Sequence, residues 1–113
     1  MSIPSYLGTL AAHLTRSGIR YAFGVVGGGA SVKLATALER EGASYYPVAH
    51  EASAALMAGA CCSEGSARAI AVTIKGPGVA NAVPGILANY YENRPALTIS
   101  EAYSLKTPKF QKH

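Results

Sequence analysis

The sequence predicts an α/β fold: an open parallel sheet with helices on both faces. Three observations carry that expectation. Short, wholly apolar runs alternate with stretches of helical period. Each of the first three runs leads into a glycine turn or a helix start. The resulting strand–helix–strand order requires right-handed crossovers between parallel strands. Composition agrees, because half of the 113 residues are apolar and 14% are charged, which suits one core with apolar surface left for another chain to cover. Residues 1–113 are therefore read as a single domain.

Leu7, Leu10, Ala11 and Leu14 fall at i, i+3, i+4 and i+7, predicting a helix over about 5–17 that Gly18 stops. His13 lies beside that stripe, and no second ligand is spaced to share a metal with it. Residues 21–26, Tyr-Ala-Phe-Gly-Val-Val, lack polar alternation, as expected of a parallel strand covered on both faces. After a turn at Gly27, Gly28 and Gly29, Ser31 is expected to cap a helix over 32–41 whose apolar positions are Val32, Leu34, Ala35 and Leu38. Residues 45–48 form the second strand, weakened by Pro47.

An Ala-rich helix is expected over 51–63, with side chains small enough to let another helix approach closely. Residues 69–74, Ala-Ile-Ala-Val-Thr-Ile, are the clearest strand. The helix predicted over 79–91 carries Val79, Ala82, Val83, Ile86, Leu87 and Tyr90, and it tolerates Pro84 if that residue falls in the first turn or two. Residues 96–100 make a fourth strand, and 102–113 form a basic tail without strong period.

Several function classes are excluded. The formal charge of +4 owes much to Lys106, Lys109 and Lys112 in the tail, so no nucleic-acid partner is expected. No apolar run reaches transmembrane length and the start lacks a signal-peptide pattern, so the expectation is a cytoplasmic protein without a membrane partner. Cys61 and Cys62 are adjacent, cannot easily bridge each other, and lack metal-ligand spacing; they are read as buried thiols within the helix.

In an open α/β sheet, ligands bind beyond the carboxyl ends of the strands. Three features fall there: Gly27, Gly28 and Gly29 after the first strand, His50 and Glu51 after the second, and Gly76, Pro77 and Gly78 after the third. All six acidic residues are glutamates, and Glu51 stands among Val48, Ala49, Ala52, Ala54, Ala55, Leu56 and Met57. It is either a first-turn helix carboxylate favoured by the macrodipole or a group held in an apolar site for chemistry. A G-x-G-x-x-G fingerprint fails because its third glycine would stand at Val32, and a P-loop fails because Lys75 precedes its glycines.

The residues carry a resemblance. The runs 24–28 (Gly-Val-Val-Gly-Gly), 50–59 (His-Glu-Ala-Ser-Ala-Ala-Leu-Met-Ala-Gly) and 73–81 (Thr-Ile-Lys-Gly-Pro-Gly-Val-Ala-Asn), followed by Pro84 and Gly85, resemble the pyrimidine-binding domain of thiamine-diphosphate-dependent enzymes of the acetolactate synthase and 2-oxoacid decarboxylase group. The match in order and spacing covers roughly residues 5–101. It implies that Glu51 hydrogen-bonds N1′ of the aminopyrimidine and, by sharing a proton there, favours the tautomer that removes the thiazolium C2 proton. It also implies that Gly27, Gly28, Thr73, Gly76, Pro77, Gly78 and Asn81 contact the cofactor, that Gly29 and His50 lie at the substrate mouth, and that a 2-oxo acid is decarboxylated or ligated.

The departures are equally informative. The family holds the diphosphate and Mg²⁺ through an aspartate-containing motif of a second domain, and this chain has no aspartate, so the resemblance implies a diphosphate-binding domain or subunit as partner within a homo- or hetero-oligomer. Gly28 stands where some decarboxylases carry an active-site acid, which argues against a simple pyruvate-type decarboxylase. The family domain usually continues for another strand–helix–strand unit, and residues 110–113 resemble its start, so the chain is read as a separate subunit or a truncated domain lacking its last strands. A non-catalytic regulatory domain of the same fold and an unrelated nucleotide-binding α/β domain stand as alternatives.

Overall fold

The computed structural model describes residues 2–25, 27–102 and 104. Among the described residues, four helices and four strands alternate as α1 (Ser5–Arg16), β1 (Tyr21–Gly24), α2 (Ala30–Arg40), β2 (Ser44–Pro47), α3 (Glu51–Ala60), β3 (Ala69–Thr73), α4 (Pro77–Tyr91) and β4 (Leu97–Ser100). The strands pair in parallel in the order β2-β1-β3-β4, with Tyr21 opposite both Ser44 and Ala69, and Ile70 opposite Leu97. The expected α/β architecture is therefore present. Residues 103 and 105–113, the bulk of the basic tail and the segment at 110–113, lie outside the described residues, as does Val26.

Strand parity separates two unlike faces. Ile70 and Val72 of β3 join Leu7, Ala11 and Leu14 of α1 and Leu34, Ala37 and Leu38 of α2 in one cluster. On the opposite face Ala69 and Ala71 meet Ala54, Ala55 and Ala58 of α3. Alanines on both sides let α3 lie close to the sheet, and α4 then stacks on α3 with equally little room. A Cβ on Gly85 would come 2.5 Å from the Ala52 carbonyl oxygen, and the buried Asn89 amide donates to the Ala55 carbonyl at 2.7 Å.

Several boundaries differ from expectation, each for a local reason. Tyr21 is exposed, so β1 is not covered along its whole length. The helix α2 starts at Ala30, before Ser31, with Gly29 at its N-cap, so Ser31 is no cap; its hydroxyl donates instead to the Gly28 carbonyl at 3.1 Å. Pro47 is tolerated because β2 is an edge strand whose Ser44 amide bonds to Arg20, just before β1, and whose following Val48 amide bonds to Gly24 of β1, while position 47 falls on the other parity.

The helix α3 ends at Ala60 because a tight turn follows, closed by reciprocal Ser63–Ser66 backbone hydrogen bonds with Glu64 and Gly65 at positive φ. Cys61 is thus the C-cap rather than a helix-interior residue, and both cysteines are half-exposed rather than buried. The helix α4 begins at Pro77, which puts Pro84 beyond its first two turns. That proline and Ala80, the residue whose carbonyl it leaves without its helical partner, are both exposed, so water can satisfy the freed oxygen.

Candidate functional site

Because every strand runs the same way, the three glycine or acid turns lie on one rim, and the sheet order brings them side by side. Glu51 is the first residue of α3. Its entry angle is set by His50, the N-cap, whose Nδ1 accepts from the Ala52 N–H at 3.0 Å. The carboxylate is half-buried, and its Oε2 accepts from Asn81 Nδ2 on α4 at 3.3 Å. The start of α3 favours negative charge at this position.

Glycines wall the same space. Gly76 is the N-cap of α4 at φ 69, and Pro77 occupies the first helical position, where no N–H is required. Gly78 is buried. A Cβ there would stand 2.9 Å from Ile74 Cγ1, 3.5 Å from Thr73 Cβ and 3.7 Å from Glu51 Oε1. Thr73 follows Ala69 and Ala71 in parity, which turns its side chain to the α3 face. Its Oγ1 is buried, with no hydrogen-bond partner among the described residues. Gly27 approaches the other side of the same isoleucine, since a Cβ there would lie 3.0 Å from Ile74 Cγ2. Ile74, read from sequence as a strand end only, is the wedge between the two glycine turns.

The structure therefore brings Glu51, Thr73, Gly76, Pro77, Gly78 and Asn81 together, with Gly27 across Ile74. Gly28 is exposed, with nothing within 4 Å of a Cβ built on it. His50 is exposed and engaged as a cap. Gly29 turns to the opposite face of the sheet. Its φ is 76, and a Cβ on it would come 2.9 Å from Glu101 Oε1.

Glu101 was missed in the sequence because it stands in a stretch without strong period. Its Oε1 accepts from the Ser31 N–H at 2.8 Å, its Oε2 lies 3.5 Å from Lys75 Nζ, and its side chain is only 12% exposed. Burial works against its charge, yet the Ser31 hydrogen bonds and the Lys75 ammonium outweigh that and hold its carboxyl below the ordinary value. Beside it, on the α1 and α2 side, lies a cavity of about 360 Å³ lined by Tyr6, Leu10, Leu34 and Ile99 among others. It does not include Glu51. Among the described residues no group of three or more His, Cys, Asp or Glu side chains gathers as a metal site, and no helix is long and apolar enough to cross a membrane.

Residues 7–112 match the family model described as thiamine pyrophosphate enzyme, N-terminal TPP binding domain. The chain is similar to a curated sulfoacetaldehyde acetyltransferase of Rhodobacter capsulatus, 30% identical over 94 residues that cover 83% of this chain and 16% of the relative. It is also similar to a protein of the same name from Roseovarius nubinhibens, 26% identical over 103 residues, covering 91% of this chain and 16% of the relative. The chain thus spans about 16% of the length of the curated relatives it matches.

Proposed function

The chain belongs to the thiamine pyrophosphate enzymes, as their N-terminal TPP binding domain, and from that premise we propose that it is the pyrimidine-binding half of a thiamine-diphosphate-dependent enzyme in which Glu51 meets N1′ of the aminopyrimidine. The observation that carries this reading is the half-buried Glu51 carboxylate, held by Asn81 and facing the side-chain-free surface of Gly78.

The residues fit the cofactor. A flat ring needs walls without side chains, and Gly78 and Gly27 supply backbone there, each packed so closely on Ile74 that a Cβ would come 2.9 Å and 3.0 Å from it. A ring nitrogen needs a carboxyl, and an exocyclic amine needs acceptors. On the α3 and α4 side of the rim Glu51 supplies that carboxyl, and the orphaned Thr73 hydroxyl lies under Gly78. When bound, thiamine diphosphate supplies the carbon nucleophile for attack on a carbonyl.

The work of this chain is orientation and proton sharing. Asn81 occupies Oε2 of Glu51, which leaves Oε1, the oxygen nearest Gly78, to hold a proton at the ring nitrogen. The α3 N-terminus stabilises the carboxylate once that proton is given up. Ile74 stands between the two glycine turns and holds them apart. Diphosphate and Mg²⁺ belong to a second domain or subunit in this reading, since the chain has no aspartate.

The substrate proposed is a 2-oxo acid, decarboxylated or joined to an acceptor. The name of the two relatives supports transfer of an acetyl unit as the outcome. The test is the rate of C2 proton exchange of thiamine diphosphate bound to the chain together with its diphosphate-binding domain. Glu51→Gln is expected to retain the fold and lower that rate by about two to four orders of magnitude, the usual range for loss of a positioned acid or base. A wild-type rate in that variant would sink the proposal.

A further inference from the structure

We propose that Glu101 is a positioning residue for this site: its carboxylate sets the 27–29 loop against the 76–78 turn and so shapes the mouth through which ligands enter. The inference rests on the pyrimidine-binding reading and adds to it a residue on the other face of the sheet.

The 27–29 loop consists of glycines alone, so it has no side chains with which to pack itself, and neighbours must impose its conformation. Glu101 does so from the end of β4. Its Oε1 takes the Ser31 N–H at 2.8 Å, which fixes the start of α2, and the Ser31 hydroxyl in turn fixes the Gly28 carbonyl at 3.1 Å. Gly29 is required at its place because a Cβ would come 2.9 Å from Glu101 Oε1 and because its φ is 76. The glycine thus allows the carboxylate to approach, and the carboxylate holds the loop.

The same side chain reaches the other turn. Its Oε2 lies 3.5 Å from the ammonium of Lys75, the residue preceding Gly76, and its own N–H bonds to the Thr73 carbonyl at 3.3 Å. One half-buried acid therefore ties the ends of β3 and β4 to the loop after β1. A charge this poorly solvated is costly unless its partners are fixed. That cost makes the arrangement rigid, as a ligand mouth without side chains of its own needs.

Two measurements separate this from a purely structural role. Hydrogen exchange on the whole chain compares wild type, Glu101→Ala and Glu101→Gln. Faster exchange in Glu101→Ala confined to residues 28–32 and partly restored in Glu101→Gln supports the proposal. Unchanged exchange there, or faster exchange spread through α3 and α4, overturns it. Calorimetric titration of thiamine diphosphate with Mg²⁺ into the chain plus its diphosphate-binding domain follows. A Kd raised about tenfold in Glu101→Ala, the cost of ordering a short loop on binding, with unchanged stoichiometry and a wild-type C2 exchange rate at saturation, is the expected result. A wild-type Kd overturns the proposal. Failure of the wild-type assembly to bind at all sinks the pyrimidine-binding reading itself, and the loop's exchange then decides alone whether Glu101 orders it.

Discussion

Asn81 Nδ2 donates to Glu51 Oε2 at 3.3 Å, so an amide on the second turn of α4 steers the carboxylate at the first residue of α3. Asn81→Ala should let that carboxylate rotate between Asn81's place and the slot. Since Asn81 is exposed, the loss is modest: about a three- to tenfold drop in C2 proton exchange, equivalent to roughly 1 kcal/mol of a hydrogen bond to a charged group. Exchange at the wild-type rate would show that Asn81 has no part in orienting Glu51.

Gly85→Ala tests the close stacking behind the site. Helix propensity alone favours alanine by about 1 kcal/mol. Against it, the new methyl would sit 2.5 Å from the Ala52 carbonyl and 2.8 Å from Ala55 Cβ, and backbone cannot yield as a flexible side chain would. Overlap with backbone falls toward the upper part of the usual range of about 1–3 kcal/mol, and after the propensity gain the expected outcome is net destabilisation of up to about 2 kcal/mol by urea unfolding. Stabilisation would mean that α3 and α4 stand further apart than described.

Glu101 gives a pH signature. Its carboxyl is held below the ordinary value of 4.5, so the folded state favours the ionised form. The resulting stability is fully present above 4.5 and is lost as pH falls through the lower folded value. The gap in urea midpoint between wild type and Glu101→Gln should be constant near neutrality and shrink in acid. A gap that widens in acid would reverse the sign and refute the Ser31 and Lys75 partnerships.

His50 was expected at the substrate mouth and is found capping α3, with Nδ1 3.0 Å from the Ala52 N–H. His50→Ser keeps a capping oxygen and should retain stability, whereas His50→Ala should lose about 0.5–2 kcal/mol. If His50→Ser also turns over substrate at the wild-type rate, the cap is the whole of its role; a selective rise in KM would return it to the mouth.

The elements most legible in the sequence were those whose signal is local. Leu7, Ala11 and Leu14 declared a helix face, and the unbroken apolar run from Ala69 declared a strand buried on both sides, because periodicity follows directly from which face meets the core. The glycine turns and Glu51 were legible as a set, since parallel strands must end on one rim. Boundaries were less legible. The helix α2 begins before Ser31 because Glu101, distant in sequence, accepts that residue's N–H, and no local cap signal contains it.

By itself, then, the sequence determined the order of strands and helices, the single rim on which their turns converge, and one of the two glutamates on that rim, Glu51, because each depends on neighbours a few residues apart. Only the tertiary structure decided which face of the sheet each rim residue serves. Glu51, Asn81 and Thr73 lie with α3 and α4, while Glu101 and Ser31 lie on the side of α1 and α2, and Ile74 divides the glycine turns. The reason is physical: a contact between residues 31 and 101, or 51 and 81, comes from strand pairing and helix stacking, and neither leaves a periodic trace in the chain.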